Sequence, residues 1–190
     1  MLLILGNGFD LSLGLKTSYA NFMASDLFTK WVKIKHFPNA KVNLHDMNLF
    51  NYLHLQKGLR NWIDVEEELK KYASEQRVEY YYDNGSTHFL NNISTADINN
   101  SYQILCFALQ TYIKTLDYTG VNEDSLSLEL LRAVLRRKQN DVVTFNYTDV
   151  SWVVSKPRGS IEYMHGNTTD GIILGFQRFD NMAKGYRLYD

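Results

Sequence analysis

Three features of the sequence predict an α/β fold with an open, mostly parallel Rossmann-like sheet flanked by helices. They are a short apolar run ending in a glycine turn, amphipathic helical stretches behind it, and late apolar runs that each end in polar or glycine residues. Leu2 to Leu5 is continuous and apolar, which predicts a strand buried on both faces. Gly6-Asn7-Gly8 follows as the turn, and Thr17 or Ser18 can cap a helix bearing Tyr19, Phe22 and Met23. Lys30 to Lys35 alternates weakly and predicts no element. From Asp64 the capping-box spacing to Glu67, with Val65, Leu69 and Tyr72 on one face, predicts a helix whose other face is charged. The Asn-, Ser- and Thr-rich stretch from Asp83 to Ala96 predicts a surface loop. Asp97 can cap a long helix whose Ile98, Tyr102, Leu105, Leu109, Tyr112 and Leu116 form an apolar stripe suited to core packing. A further helix runs from about Ser125 to Lys138; its Arg136, Arg137 and Lys138 complement the negative end of the helix dipole, and Asn140 ends it. Val142 to Phe145, Ile161 to Met164 and Ile172 to Leu174 predict three more strands, which leaves a helical insertion between the first strand and the second.

Composition narrows the classes of function. A chain of 190 residues that is 45% hydrophobic can bury one substantial core, so residues 1–190 are read as a single domain. Twenty basic against 21 acidic residues give a net charge of -1, which supplies no global field for nucleic acid or an anionic membrane. The basic stretch from Lys30 to Lys41, with Trp31 and Phe37, is accordingly read as a solvated face. Cys106, the single cysteine, rules out a disulfide within the chain and sits among Ile104, Leu105, Phe107 and Leu109 as a buried apolar thiol. Met1 to Leu5 is too short for a signal peptide or a membrane span, so a cytoplasmic protein is expected. The sequence stops at Tyr189-Asp190 soon after the last strand, which suggests a short variant or a fragment. A fragment with a partly bare sheet face would favour a homo-oligomer.

Residues with chemical potential gather at the predicted C-terminal strand ends, where open α/β sheets bind ligands. In Gly6-Asn7-Gly8-Phe9-Asp10 the glycines let backbone N–H groups approach a pyrophosphate; a turn that merely needs glycine explains them equally. Gly14 comes too late for G-x-G-x-x-G, and the chain holds no Walker A string. Thr144-Phe145-Asn146-Tyr147-Thr148-Asp149 puts an amide at a strand mouth, where it can bind a ligand or cap the next segment. His165-Gly166 places an imidazole at another strand end, with the glycine giving a ligand close access, and Gly175 closes the last strand. A metal site on His45-Asp46 with His36 or His54 lacks disciplined ligand spacing, and no metal is expected.

The order of these motifs resembles the AbiH family of bacterial abortive-infection proteins. The matching segments are Ile4 to Leu11 with Thr17-Ser18-Tyr19, Trp62-Ile63-Asp64-Val65-Glu66, Thr144 to Thr148, and His165-Gly166 with Ile173 to Phe176. That resemblance spans nearly the whole chain and implies phage defence by killing or arresting an infected cell. More distantly, the same positions are similar to sirtuin- or DHS-like NAD-consuming domains. This second resemblance implies NAD as substrate or ligand, with Gly6, Asn7, Gly8, Phe9 and Asp10 at the pyrophosphate loop. Thr144, Thr148, Gly166 and Gly175 would line the site, while Asn146 and His165 would carry cleavage of the nicotinamide–ribose bond. Two departures stand out: Asp10 replaces the usual Ser, and Thr148 replaces the Asp expected two residues after Asn146. A carboxylate at position 10 repels a pyrophosphate unless it points at a ribose hydroxyl. Two functions therefore compete, an NAD-cleaving effector and a sensor that binds NAD or ADP-ribose without turnover. Trp62, Asp64 and Glu66 are explained by capping and an anchoring indole, with a role for Glu66 at the site as the alternative.

Overall fold

The computed structural model describes residues 1–33, 48–56, 59, 61–74, 78–81, 87–90, 95–154 and 156–174. The strands are β1 (Leu2–Leu5), β2 (Val78–Tyr81), β3 (Thr87–Leu90), β4 (Asp141–Thr144), β5 (Ser160–Tyr163), β6 (Gly166–Asn167) and β7 (Gly171–Ile172). The helices are α1 (Asn7–Ser12), α2 (Tyr19–Met23), α3 (Asp26–Thr29), α4 (Leu49–Leu55), α5 (Trp62–Ala73), α6 (Thr95–Lys114) and α7 (Leu126–Leu135), with a 3-10 turn at Ser151–Val153. The contacts divide into two compact units, residues 1–22 with 109–173 and residues 23–108 with 174–190, and the division falls inside α6.

The first unit is an α/β layer around a three-stranded parallel sheet of order β1-β4-β5. Leu2 pairs with Asp141 and Asp141 with Ser160, and the register runs in step to the row Leu5, Thr144, Tyr163. Because side chains alternate across a strand, Leu3, Leu5, Val142, Thr144, Ile161 and Tyr163 share one face. That face meets Phe9 and Leu13 of the α1 region and Leu128, Leu131, Val134 and Leu135 of α7 in one buried cluster. The opposite face corrects the expectation for β1: Leu2 and Ile4 are 58% and 62% exposed, so the strand is buried on one face only. The cause is register, since Leu2 and Ile4 share rows with the exposed Asp141, Ser160 and Glu162 on the side away from the helices.

The last predicted strand also differs. Gly171–Ile172 does not extend the parallel sheet; it pairs antiparallel with Gly166–Asn167 in a two-stranded hairpin. Gly166 has φ +68, and a Cβ there would stand 2.0 Å from the Gly171 carbonyl oxygen, so the hairpin itself demands glycine. Asn167 ties the connection by accepting from the N–H groups of Thr169 and Asp170 at 2.7 and 2.8 Å.

The second unit is mainly helical, with its own core. Phe28, Phe50 and Trp31 form a ring cluster with centroid separations of 5.2 and 5.9 Å, and Tyr52 lies 5.3 Å from Tyr72. Val65, Leu69 and Tyr72 are buried on one face of α5, as their spacing predicts. Asn61, not Asp64, is the N-cap; it accepts from the Asp64 N–H at 3.0 Å while the Asp64 carboxylate accepts from the Asn61 N–H at 3.2 Å. The expected surface loop from Asp83 to Ala96 contains β3, paired antiparallel with β2, and the start of α6. The region between β1 and β4 thus holds this hairpin as well as helices. On α6, Ile98, Tyr102 and Leu105 are buried as expected, and Tyr102 both donates to the Leu174 carbonyl and accepts from its N–H. Cys106 is partly buried, and desolvation pushes its thiol up to about 11, which keeps it protonated and unreactive at neutral pH.

Candidate functional site at the C-terminal strand ends

The C-terminal edge of the parallel sheet is lined by buried polar residues of the first unit, an arrangement that burial alone disfavours. Asp10, Thr17, Thr144, Asn146 and Thr148 are each 3% exposed or less. Gly6 leaves β1 in an extended conformation, φ -130 and ψ 177, and α1 starts at the next residue. Gly8, Phe9 and Asp10 therefore ride on the first turns of a helix, where an open loop was expected. Phe9 is buried in the hydrophobic cluster, and Asp10 is turned inward. A Cβ added at Gly6 or Gly8 would meet nothing within 4 Å among the described residues. Packing among the described residues does not account for glycine at either position. The Asn7 amide oxygen accepts from the Thr17 hydroxyl at 2.8 Å, which ties the first loop to the start of α2. Ser18 is the cap of that helix, accepting from the Asn21 N–H at 3.1 Å.

Beyond β4 the chain turns sharply. The Thr144 carbonyl accepts from Met164 N–H at 2.9 Å, and its hydroxyl accepts from Asn146 N–H at 3.1 Å. This fully buried hydroxyl fixes where the Asn146 side chain starts. Two residues on, the Thr148 hydroxyl stands 3.0 and 2.9 Å from the two carboxylate oxygens of Asp10 and donates to that group. The two departures from the sirtuin-like pattern, Asp10 and Thr148, are thus the two ends of one buried interaction. The carboxylate faces its threonine.

Burial pushes the Asp10 carboxyl up to about 6, against the opposing pull of the Thr148 hydroxyl and the adjacent Asn146 amide. The Asn146 side chain is itself buried. Neither its Nδ2 nor its Oδ1 has a hydrogen-bond partner among the described residues, although both atoms are buried. His165 leans on the two neighbours of Asn146, with its ring 5.7 Å from Phe145 edge-on and 5.6 Å from Tyr147. Burial holds the imidazole below its ordinary 6.5, so it is neutral at physiological pH.

A second acidic group stands on this edge, one that the sequence shows at the end of the same string but to which it assigns no role. Asp149 accepts from the Tyr163 hydroxyl at 2.6 Å and from Ser151 N–H at 2.8 Å. Burial opposes its ionisation, but those hydrogen bonds outweigh it and hold the carboxyl below the usual range. Tyr118 feels both carboxylates: burial, then the charges of Asp10 and Asp149, push its phenol up to about 12. Tyr118 precedes a turn and carries no motif, which hid it. The two carboxyls are therefore driven in opposite directions within one neighbourhood, the arrangement in which acid and base roles separate.

The structure brings Gly6, Asn7, Gly8, Asp10, Thr144, Asn146, Thr148 and His165 onto one edge of one unit. Gly166 stands beside His165 and is accounted for by the hairpin. Gly175 lies outside the described residues, as do His36, His45 and Asp46. Trp62, Asp64 and Glu66 belong to the second unit. Among the described residues no cluster of three or more His, Cys, Asp or Glu could hold a metal ion, and no helix is long and apolar enough to cross a membrane. A cleft of about 450 Å³ opens elsewhere in the first unit, lined by residues 13–16 and by Tyr112, Thr115, Leu116, Asp117, Gly120 and Val121. It contains none of the site residues that the sequence predicts.

The architecture is thus that of an α/β protein with a polar, buried strand-end site. The family model for bacteriophage abortive infection AbiH matches residues 2–189, and the chain belongs to that family. Neither a curated protein nor a solved structure matches it. Family membership places the chain among the abortive-infection proteins that act against phage.

Proposed function

We propose that the first unit is the nucleotide-handling part of a cytoplasmic abortive-infection effector and that it cleaves NAD, or a closely related nucleotide, at the nicotinamide–ribose bond. The observation that carries this reading is the buried amide of Asn146, whose two polar atoms lack hydrogen bonds among the described residues at the end of a parallel strand. Leaving such a group without a partner costs roughly 1–3 kcal/mol, a cost that a ligand offering matching polar atoms would relieve. Gly6 and Gly8 support the same reading, because a Cβ at either would meet none of the described residues within 4 Å and the glycines would admit a pyrophosphate against the backbone.

The reaction adds water across the glycosidic bond, giving ADP-ribose, nicotinamide and a proton. Asn146 would orient the ribose or the attacking water, and neutral His165 is in the correct state to accept that proton. No step requires a metal. The test is a proton NMR time course of NAD with the purified protein. Release of free nicotinamide by the wild type, lost in both Asn146→Ala and His165→Ala, is the expected result. Saturation transfer to intact NAD without release would replace cleavage by sensing, and absence of both signals would remove the nucleotide reading.

A further inference from the structure

Phe145 stands at the C-terminal strand edge with its side chain 45% exposed, between Thr144 and Asn146, which are both buried. Its N–H donates to the Leu5 carbonyl at 3.0 Å, so the pairing of β1 with β4 runs one residue past Thr144. The alternation of the strand then puts Phe145 on the face opposite Thr144, where Ile4 is exposed too, and keeps its ring out of the hydrophobic cluster. Exposed apolar side chains are common on protein surfaces, and Leu2 and Ile4 need no further cause. Phe145 differs from them in its neighbour: the His165 ring lies 5.7 Å away at an interplanar angle of 85°. In such a contact one ring offers its edge to the other. Whichever ring does so, the imidazole leaves at least one face of the phenyl ring uncovered, and no other ring of the described residues packs on it.

We infer that the open face of Phe145 is the surface on which the nicotinamide ring of the nucleotide stacks. The inference rests on the nucleotide reading above and names the side chain that holds the ring. In that reading His165 accepts a proton at the nicotinamide–ribose bond, so the departing ring lies beside the imidazole. Two aromatic rings flank that imidazole: Tyr147 is buried, whereas Phe145 has a face that a ligand can reach. A planar heteroaromatic ring gains dispersion and offset stacking on a phenyl face. The oxidised nicotinamide also carries a positive charge, which the negative face of the phenyl ring attracts. Stacking sets the plane of the ligand ring but not its position within that plane. The amide of Asn146, the next residue along the chain, has two buried polar atoms without hydrogen bonds among the described residues, and it supplies the directional contacts that stacking lacks.

The test compares two ligands that differ by the nicotinamide ring. One is carba-NAD, in which a cyclopentane replaces the nicotinamide ribose so that the bond resists cleavage; the other is ADP-ribose, which lacks the ring. Dissociation constants for both are measured by ¹⁵N–¹H shift titration of the wild type, Phe145→Leu and Phe145→Trp. Phe145→Leu keeps an apolar side chain at an exposed position and is expected to fold. It should weaken carba-NAD by about fivefold or more, the loss of one aromatic stack, and leave ADP-ribose unchanged, while Phe145→Trp should restore the affinity for carba-NAD. Equal weakening of both ligands in Phe145→Leu would mean that the adenine stacks there, and would overturn the inference. Unchanged affinity for both would overturn it as well, with the nucleotide reading left standing. Binding of neither ligand by the wild type would remove the nucleotide reading and the inference with it.

Discussion

Replacing Asp10 by asparagine removes a buried carboxyl that ionises at a cost, while keeping its volume and its ability to accept from Thr148. The substitution is therefore expected to stabilise the protein at neutral pH. In the folded chain Asp10 ionises at about 6 instead of 3.8, so the folded state holds its proton where the unfolded chain has already lost it. The stabilisation from that retained proton is complete below pH 3.8 and is lost as pH rises through about 6. The difference corresponds to about 3 kcal/mol of stability missing from the wild type at pH 7.5. Asparagine escapes this loss but accepts more weakly from Thr148, which offsets about 1 kcal/mol of the gain. Urea denaturation of both proteins between pH 4 and 7.5 measures the effect. The stability difference should grow by about 2 kcal/mol in favour of Asp10→Asn across that range, whatever its value at pH 4. A difference that stays constant with pH would show that Asp10 ionises normally and would refute the burial argument.

Other substitutions sort structural from functional glycines and histidines. Gly8→Ala should fold at least as well as the wild type, gaining up to about 1 kcal/mol of helix stability in α1, yet lose saturation transfer to NAD; thermal melting and NMR check the two halves separately. Gly166→Ala should behave oppositely and lower stability by about 2 kcal/mol or more in the same melting assay. Its Cβ would stand 2.0 Å from the Gly171 carbonyl oxygen at φ +68. His165 should titrate below 6.5 when its ring protons are followed by NMR. The stability that its neutral form contributes should be present above 6.5 and fall away as pH drops through the lowered value.

Much of the first unit was legible because its signals are local. Leu2 to Leu5 and Val142 to Phe145 are short runs ended by glycine or asparagine, and α7 keeps a period that buries Leu128, Leu131, Val134 and Leu135. Burial of β1 was overestimated because an apolar run does not reveal whether anything covers Leu2 and Ile4. The β2–β3 hairpin escaped because Val78–Tyr81 and Thr87–Leu90 mix polar and charged residues with apolar ones and form no apolar run. The β6–β7 hairpin has two per strand and is dictated by backbone angles at Gly166 and Gly171. At the N-terminus of α5, Asn61 and Asp64 satisfy the same spacing as Asp64 and Glu67, so the pattern was found one turn late.

The site was visible as residue types but not as contacts. Asn146 and His165 stand out because an amide and an imidazole close short apolar runs. The partnership of Asp10 with Thr148 spans 138 positions, beyond any local rule, and it converts an apparent electrostatic conflict into an inward hydrogen bond. Asp149 had a visible carboxylate, but its partner Tyr163 lies 14 residues away on β5.

The central claim is that a nucleotide occupies the C-terminal strand edge of the first unit, and backbone ¹⁵N–¹H shift mapping during titration with NAD tests it most directly. The account predicts shifts concentrated at Gly6, Asn7, Gly8, Asn146 and His165, saturating together. Shifts confined to the cleft around Leu13, Lys16 and Val121, or no shifts at millimolar NAD, would contradict it.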